Sequence, residues 1–222
     1  MGIEVKNIAA LSGHTGCIYA MDRGISKHTV FTGGSDKFIA LWNLKTLQAE
    51  KFAASLPSTV YAICHIPEKQ LLLAGITNGS VLILDLQKKE EIKILQHHTA
   101  PIFDIKYSLK TNCFYTASGD GNFAVCSLDT LSLIKIKKLS NEKVRNIDFN
   151  YTTSEIAVAL GDHKVLVFDL QTLGLKKDFI AHQSASYVVR YSPDGKFLLT
   201  GGKDAHLNIW QVGSYELVKS IP

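Results

Sequence analysis

The sequence predicts an all-β fold made of five copies of one four-stranded antiparallel unit, within a single domain that spans residues 1–222. The first observation is a repeat, because five segments of strand, tight turn and strand align with a constant period of 42 residues. The second is the alternation of apolar and polar residues in these short strands, which is typical of antiparallel sheets. The turn residues that define the period are Asp36, Asn78, Asp120, Asp162 and Asp204.

Within each unit the elements follow in a fixed order. An apolar first strand opens the unit, as in VYAICHI at 60–66, and a turn follows, with SPDG at 192–195 predicting a type I turn. The second and third strands flank the tight polar turn, and a more charged fourth strand ends the unit. Four antiparallel strands in about 40 residues form one blade of a β-propeller. We therefore predict five propeller blades.

Three blades carry a set of side chains at matching intervals. Blade 1 has Gly13-His14, Thr32, Asp36 and Trp42, and blade 5 has His182, Thr200, Asp204 and Trp210. Blade 3 has His98, Thr116 and Asp120, with Cys126 in the tryptophan position. This spacing resembles the WD-repeat family, whose blades place Gly-His, Ser or Thr, a turn Asp and Trp-Asp at these positions. The resemblance covers essentially the whole chain, although no blade has an intact Trp-Asp pair.

The resemblance implies a structural role for this network, in which His, the hydroxyl, Asp and the indole N–H satisfy one another's hydrogen bonds. A catalytic triad of His14, Thr32 and Asp36 is the alternative, but the family uses the network to hold turns together. Two blades depart from the pattern and are expected to rely on apolar packing instead. Their residues are Leu56, Ala74, Asn78 and Leu84 in blade 2, and Ser140, Val158, Asp162 and Phe168 in blade 4.

A candidate binding face follows from the same alignment. The position five residues after each histidine, or its equivalent, is occupied by Tyr19, Tyr61, Phe103, Arg145 and Tyr187. The resemblance implies that this position and two companions point to the narrow top face around the central channel. The companions are Cys17, Thr59, Pro101, Lys143 and Ala185, then Ser35, Thr77, Gly119, Gly161 and Lys203. Aromatic residues and arginine dominate protein interfaces, so we predict that this face binds a protein or peptide. The alternative is that the rings only pack at the channel mouth.

Some propellers are hydrolases or lactonases, so an enzyme with a site at the channel mouth is the alternative function. The channel-facing position reads Asp22, Cys64, Lys106, Asp148 and Arg190, which favours mutual neutralisation of charge over a metal site or an acid/base pair. Neighbouring side chains alternate along an extended strand, so His97 and His98 are not expected to face one site. We expect a structural role for His98 and a solvated His97. The sequence thus predicts a non-enzymatic scaffold with no cofactor and no metal.

Lysines are concentrated in the predicted fourth strands. They include Lys88, Lys89, Lys93, Lys135, Lys137, Lys138, Lys176 and Lys177. In a blade the fourth strand has a free hydrogen-bonding edge, and lysine on such an edge discourages aggregation. The net charge of +4 therefore does not require nucleic-acid binding, and no basic stripe interleaved with aromatic residues supports it.

The number of strands predicts an incomplete ring. IEVKNIAAL at 3–11 matches a fourth strand, so the chain holds five sets of the first three strands but six fourth strands. In WD-repeat propellers the opening strand completes the last blade, and a seven-bladed ring would need about 80 more residues. We expect an open or truncated sector of such a ring, completed by self-association or by a partner chain.

The cysteines and the apolar segments bear on the compartment. Cys17, Cys64, Cys113 and Cys126 are scattered, with no CxxC pair, which favours a reducing environment. No apolar run reaches 18 residues, and the N-terminus lacks the features of a secretory signal. The sequence therefore predicts a cytoplasmic protein without membrane contact.

Overall fold

The computed structural model describes residues 4–222, in which the strands form five antiparallel sheets of four strands each. Blade 1 contains β1 (Ile18–Arg23), β2 (Thr29–Gly34), β3 (Phe38–Asn43) and β4 (Gln48–Ser55). Blade 2 contains β5 (Val60–Ile66), β6 (Leu71–Ile76), β7 (Ser80–Asp85) and β8 (Glu90–Gln96), with a 3₁₀ turn at Pro67–Lys69. Blade 3 contains β9 (Ile102–Ser108), β10 (Cys113–Ser118), β11 (Asn122–Ser127) and β12 (Ser132–Lys138). Blade 4 contains β13 (Val144–Asn150), β14 (Glu155–Leu160), β15 (Lys164–Asp169) and β16 (Leu175–Ile180). Blade 5 contains β17 (Ser186–Tyr191), β18 (Phe197–Gly202), β19 (Leu207–Gln211) and β20 (Leu217–Ile221).

The strands of every blade are hydrogen-bonded in chain order, which confirms the predicted all-β architecture of five four-stranded blades. First strands of neighbouring blades contact one another, so they line the inner side of an arc. Fourth strands lie on the outside, and six of the seven residues of β12 are exposed, including its lysines. Gly195 N–H donates to the Ser192 carbonyl at 2.8 Å, which closes a β-turn at the position predicted for the SPDG segment. No helix among residues 4–222 is long and apolar enough to cross a membrane.

The apolar core lies between the blades. Four clusters of buried side chains each join two neighbouring blades: Phe31 and Leu72 belong to one, and Ile66 and Phe114 to the next. Burying one such side chain stabilises the fold by about 1.5–3 kcal/mol. Because a blade is a single sheet with two apolar faces, its neighbours supply most of this burial.

A relay of buried polar side chains also joins blades 3, 4 and 5. The Asp104 carboxylate accepts hydrogen bonds from the side-chain amide of Asn146 at 2.6 Å and from the Ile147 N–H at 2.9 Å. Asn146 in turn accepts from the Val189 N–H at 3.0 Å and from Nη1 of Arg190 at 2.6 Å. Burial raises the pKa of Asp104. Each first strand in the relay is therefore fastened to the next by a side chain.

The sequence carries a signal for this relay in the register of the first strands. The register position of Asp104 and Asn146 is held by Ala20, Ala62 and Val188 in the other blades. Two hydrogen-bonding side chains in an otherwise apolar register mark a buried polar contact, because an unpaired polar group would be costly there.

The two ends of the arc expose residues that are buried elsewhere. Met21 is 71% exposed, whereas Ile63, at the same register position of blade 2, is 7% exposed. At the other end Leu207 is 38% exposed, whereas Val165 of blade 4 is fully buried. First strands β1 and β17 do not pack together, so within the described residues the arc is open between blades 5 and 1.

The structure corrects the predicted N-terminal outer strand. Residues 4–11 contain no strand, and Val5 and Ile8 are each 88% exposed; Ile3 lies outside the described residues. A strand needs the free edge of a neighbouring sheet to satisfy its backbone groups. The three strands that this segment was expected to join are not among the five blades. In the described residues every third strand already pairs with the fourth strand of its own blade, so residues 4–11 find no third-strand edge.

We expect Asp104→Ala to destabilise the protein strongly. The substitution removes the acceptor of two buried donors, the Asn146 amide and the Ile147 N–H, at about 1–3 kcal/mol for each group left unsatisfied. Urea unfolding measures the loss in the free energy of unfolding. Asp129→Ala is the matched control, because Asp129 forms an exposed ion pair with Lys69, and such pairs contribute at most about 1 kcal/mol. Equal losses for the two variants would contradict the relay.

Candidate functional site

The five residues predicted for the binding face form one continuous row. The rings of Tyr19 and Tyr61 stack with centroids 4.8 Å apart, and Tyr61 meets Phe103 edge-on at 5.7 Å. The Arg145 guanidinium lies 4.8 Å from the Phe103 centroid and 5.1 Å from that of Tyr187. The side chains contact one another and still present surface, since Tyr19 is 50% and Tyr187 43% exposed. We call this set the aromatic–arginine row, and the end of the blades on which it lies the top face.

Every member of the row is the extra residue of a β-bulge. The pairing between first and second strands shifts at this point in all five blades. In blade 2, for example, Val60 pairs with Ile76 and Ala62 with Gly75, which leaves Tyr61 unpaired between them. A bulge redirects the side chain of its extra residue. Val60 and Ala62 stay buried between blades, while Tyr61 is free to point to the top face.

The predicted companions support the row through their backbones. In each blade the residue before the turn Asp or Asn donates its N–H to the carbonyl of the residue two before the row position. These bonds run from Ser35 to Cys17, Thr77 to Thr59, Gly119 to Pro101, Gly161 to Lys143 and Lys203 to Ala185, at 2.8–3.1 Å. The hydroxyls of Ser35 and Thr77 also bond within these loops. Lys143 and Lys203 are exposed and line a cavity of about 440 Å³ with Arg145 and Tyr187. The structure thus brings the predicted residues together on one face.

A second cavity lies away from the top face. It has a volume of about 530 Å³ and runs between the outer strands of blades 1 and 2. Phe31, Phe52 and Leu84 form apolar parts of its wall, and Glu50 and Glu91 add charge. None of the predicted binding residues contributes to it.

The predicted structural network is present in blades 1 and 5. His14 bonds Asp36 through Nδ1 and Thr32 through Nε2, both at 2.7 Å, and the Trp42 indole donates to Thr32 at 2.6 Å. His182, Asp204, Thr200 and Trp210 repeat these contacts at 2.9–3.0 Å. The threonine hydroxyl is buried and already bonded by both His and Trp, as Thr32 is 6% and Thr200 0% exposed. This arrangement leaves no room for substrate attack and supports the structural role over a triad.

The turn carboxylates are ionised in these networks. Burial opposes ionisation of Asp120, but backbone N–H groups of Thr99 and Asn122, together with His98, hold its pKa below the usual range. The pKa values of Asp36 and Asp204 are lowered against burial in the same way. Hydrogen bonds to the charged form therefore outweigh desolvation here.

Blade 3 corrects the expectation for His97. His98 bonds Asp120 at 3.0 Å and Thr116 at 2.8 Å as predicted, but His97 also bonds the Thr116 hydroxyl through Nε2, at 3.1 Å. The two rings are 4.5 Å apart. The alternation rule fails because both residues follow the end of β8 and are not in a strand. His97 therefore occupies the hydrogen-bonding place of the tryptophan that Cys126 replaces.

Blades 2 and 4 differ from each other. In blade 2 Leu56, Ala74 and Leu84 pack in the core shared with blade 1, as expected. In blade 4 Val158 and Phe168 are also in the core, but a polar contact survives, because the Ser140 hydroxyl donates to Asp162 at 2.6 Å. The expectation of apolar packing alone is thus corrected for blade 4, where serine takes the place of histidine.

The inner side of the arc holds carboxylates that bond to backbone. Asp22 accepts from the His65 N–H and Asp148 from the Tyr191 N–H, each at 2.7 Å and each in the next blade. Within residues 4–222 neither forms a direct ion pair, so any neutralisation by Lys106 and Arg190 acts through space. Burial raises the pKa of Asp148, and the two cations oppose that rise from a distance. No three His, Cys, Asp or Glu side chains converge as possible metal ligands in this part of the chain.

A family model described as "WD domain, G-beta repeat" matches residues 5–43, 89–127 and 174–211, just over half of the chain. The chain belongs to the WD40-repeat family. The matched segments contain the first three strands of blades 1, 3 and 5, which are the blades that retain the His–Asp network. Each match begins before these strands, in the fourth-strand position. Residues 5–11 therefore have the sequence of a WD40 fourth strand even though they do not form one.

Several relatives are similar over most of the chain. The chain is 26% identical over 65% of its length to mouse "Guanine nucleotide-binding protein subunit beta-like protein 1", and it covers 45% of that protein. It is 26% identical over 83% of its length to "Transcription factor unc-37" of Caenorhabditis elegans, covering 30% of it. It is 24% identical over 93% of its length to human "Pre-mRNA-processing factor 17", covering 37% of it. The chain thus spans less than half the length of each. Membership in this WD40 family indicates a role in protein interaction.

We expect acid to destabilise the protein partly through His97. Burial, followed by the neighbouring His98, lowers the pKa of His97 to about 4. Between its ordinary value near 6.5 and about 4, the unfolded chain binds a proton that the folded protein does not, so stability falls as pH falls through this range. His97→Asn keeps a hydrogen-bonding group for Thr116. It is expected to reduce the number of protons that the chain binds on unfolding by up to one. Urea unfolding from pH 7 to 4.5 measures this, with the exposed His163→Asn as control; an unchanged pH slope in His97→Asn would contradict the assignment.

Proposed function

We propose that the chain is a non-enzymatic scaffold that binds a protein or an extended peptide on its top face, across the aromatic–arginine row. The observation that carries the proposal is that all five row residues are bulged out of their strands and contact one another in sequence. Partly exposed tyrosine and arginine side chains that are held in place by mutual contacts lose little entropy on binding. Ser35, Thr77, Lys143 and Lys203 lie on the same loops and would supply polar contacts at the rim.

The inner carboxylates favour a scaffold over a hydrolase. Asp22, Asp104 and Asp148 accept hydrogen bonds from backbone N–H groups of the next blade. These carboxylates therefore hold neighbouring blades together. A general base would need a free carboxylate within reach of a substrate proton. The relatives include proteins named as a transcription factor and a pre-mRNA-processing factor, which supports a place in a protein assembly. The proposed partner is a protein, neither nucleic acid nor membrane.

The compartment that we propose is the cytoplasm. Cys64, Cys113 and Cys126 are buried as free thiols and Cys17 is exposed as a free thiol. Burial raises the pKa of Cys64, Cys113 and Cys126, which keeps them protonated. Four unpaired thiols suit a reducing compartment.

The proposal also includes completion of the arc. We treat residues 1–222 as a single domain of five blades that forms an open sector of a seven-bladed ring. The exposed apolar ends, with Ile18 and Met21 at one end and Val188 and Leu207 at the other, have the character of an interface. We propose that a second copy or a partner chain covers them.

Tyr19→Ala and Tyr187→Ala are expected to weaken partner binding at least about tenfold, as loss of an interface hot spot does, while the thermal midpoint changes little. Partners captured by affinity purification and identified by mass spectrometry provide the ligand, whose affinity for each variant is then measured by calorimetry. Tyr151→Ala is the matched control, because Tyr151 is 51% exposed beyond the far end of β13. A large loss of thermal stability without a specific loss of binding would show that the row belongs to the core.

Sedimentation velocity tests the open ends. We expect a particle of at least twice the 24.4 kDa chain mass at high concentration, and a shift toward monomer in Met21→Lys. Leu109→Lys is the control, since Leu109 is 47% exposed in the turn after β9. A monodisperse 24.4 kDa species that recruits no partner chain would contradict the proposed completion.

A further inference from the structure

The cavity on the top face between blades 4 and 5 is distinct in charge from the rest of the row. Its wall includes Lys143, Arg145, Tyr187 and Lys203, and its volume of about 440 Å³ is sufficient for one amino-acid side chain. Tyr19, Tyr61 and Phe103 make the other end of the row neutral. We call this cavity the Arg145 cleft.

Arg145 is held in place by rings and by no acceptor. Its guanidinium lies 4.8 Å from the Phe103 centroid and 5.1 Å from the Tyr187 centroid, and its buried Nε has no hydrogen-bond partner among the described residues. Arg190 is the internal contrast, because its Nη1 lies within 3.4 Å of three oxygen acceptors. A guanidinium has five N–H donors in a planar fork, and orphaned donors in a partly buried site are costly. Arg145 is therefore oriented by the rings, while its Nε–H lacks an acceptor among the described residues.

Two lysines add unpaired positive charge to the same cleft. Lys143 precedes β13 and Lys203 follows β18, and both side chains are exposed. Within residues 4–222 no carboxylate oxygen lies within 4.0 Å of the nitrogen atoms of Lys143, Arg145 or Lys203. The Lys143 ammonium instead lies 6.0 Å from the Phe103 centroid.

The acidic residues of the cleft neutralise these cations only in part. Asp162 Oδ2 accepts from the Ser140 hydroxyl at 2.6 Å, and its buried Oδ1 has no hydrogen-bond partner among the described residues. Glu142 lines the cleft but is exposed, and its backbone N–H bonds the Ser140 hydroxyl. Three cations against two carboxylates leave one surplus positive charge beside Arg145, whose Nε has no partner among the described residues.

We propose that the Arg145 cleft receives one anionic side chain, carboxylate or phosphorylated, of the peptide segment that binds the top face. A carboxylate or phosphate would accept from the guanidinium in the bidentate geometry that arginine favours, while Lys143 and Lys203 supply point charges. This inference rests on the proposed function and adds the chemistry of the ligand.

The distribution of charge favours a peptide over a nucleic acid. Binding to a phosphate backbone uses cations along the whole path of the strand. Here the cations are confined to one end of the row, and Tyr19 and Tyr61 at the other end stack on each other. A peptide with one anionic side chain at one end of an apolar segment matches this distribution of charge.

The test uses the side-chain Nε–Hε signals of Arg23, Arg145 and Arg190, the only arginines of the chain, in nitrogen-15 NMR spectra. The probes are N-acetyl-phosphoserine amide, N-acetylglutamate amide and, as the neutral match, N-acetylserine amide. We expect a saturable shift of the Arg145 signal with at least one anionic probe, at least tenfold tighter than with the neutral probe. The anion that binds more tightly identifies the source, phosphorylated or carboxylate.

Variants separate the cleft from general charge effects. Arg145→Gln lacks the Arg145 signal, so its binding is followed through the backbone amide signals of Lys143 and Lys203. This variant is expected to abolish saturable binding and Lys203→Gln to weaken it severalfold, the second at an exposed residue whose loss leaves the row intact. Arg23→Gln is the control and is expected to bind the anionic probes as the unsubstituted protein does. A shift that does not saturate, equal shifts for the neutral probe, or tighter binding of an oligothymidylate through the same signal would overturn the proposal. If Tyr19→Ala abolishes partner binding while Arg145→Gln alters neither partner nor probe binding, the proposed function stands and the anionic cleft is wrong.

Discussion

A four-stranded blade has two apolar faces and can bury them only against other blades. This constraint explains why the core clusters lie between sheets and why each residue's burial depends on its neighbour along the arc. It also explains the ends, where Met21 and Leu207 are exposed although their counterparts are buried. The polar relay from Asp104 through Asn146 adds directional contacts to this non-directional packing. The top face inherits its geometry from this stacking, because each blade contributes one bulged side chain.

Most of the fold could be predicted from the sequence because the 42-residue period repeats the same local physics five times. The strands, turns and His–Asp networks follow from patterns within one blade. The predictions that were wrong or missing concern contacts with neighbouring blades, which a pattern within a single blade does not reveal. Residues 4–11 have a fourth-strand sequence but no edge to pair with. Asp104 and Asn146 bond residues about 42 positions away in the next blade, so their role becomes clear only when blades are packed.

The sequence predicted that the five residues of the aromatic–arginine row lie together, but not the backbone geometry that directs them to one face. Register alone identified Tyr61 and Arg145 as equivalent positions, yet the bulge that directs them outward depends on a shift in strand pairing that residue types do not specify. His97 illustrates the opposite case. Its neighbour His98 holds the expected histidine position, and His97 supplies the bond that Trp42 provides in blade 1. His97 thus replaces the tryptophan ring that is absent at Cys126, although it lies 29 positions earlier in the chain. The spacing of residues within the blade does not predict this replacement.

The bulges separate two demands on a side chain that usually compete in a β-sheet: packing against the neighbouring sheet and presentation on the protein surface. Elsewhere in the first strand, a change of side chain alters the fit between two blades, as at Val60 and Ala62. The unpaired residue between them belongs to neither packing surface, so its identity can change while the scaffold stays the same. The top face contains five such positions, one in each blade, at which the side chain can be substituted independently of the packing between blades. Divergence or laboratory selection can change the side chains that this surface presents without altering the packing of the blades.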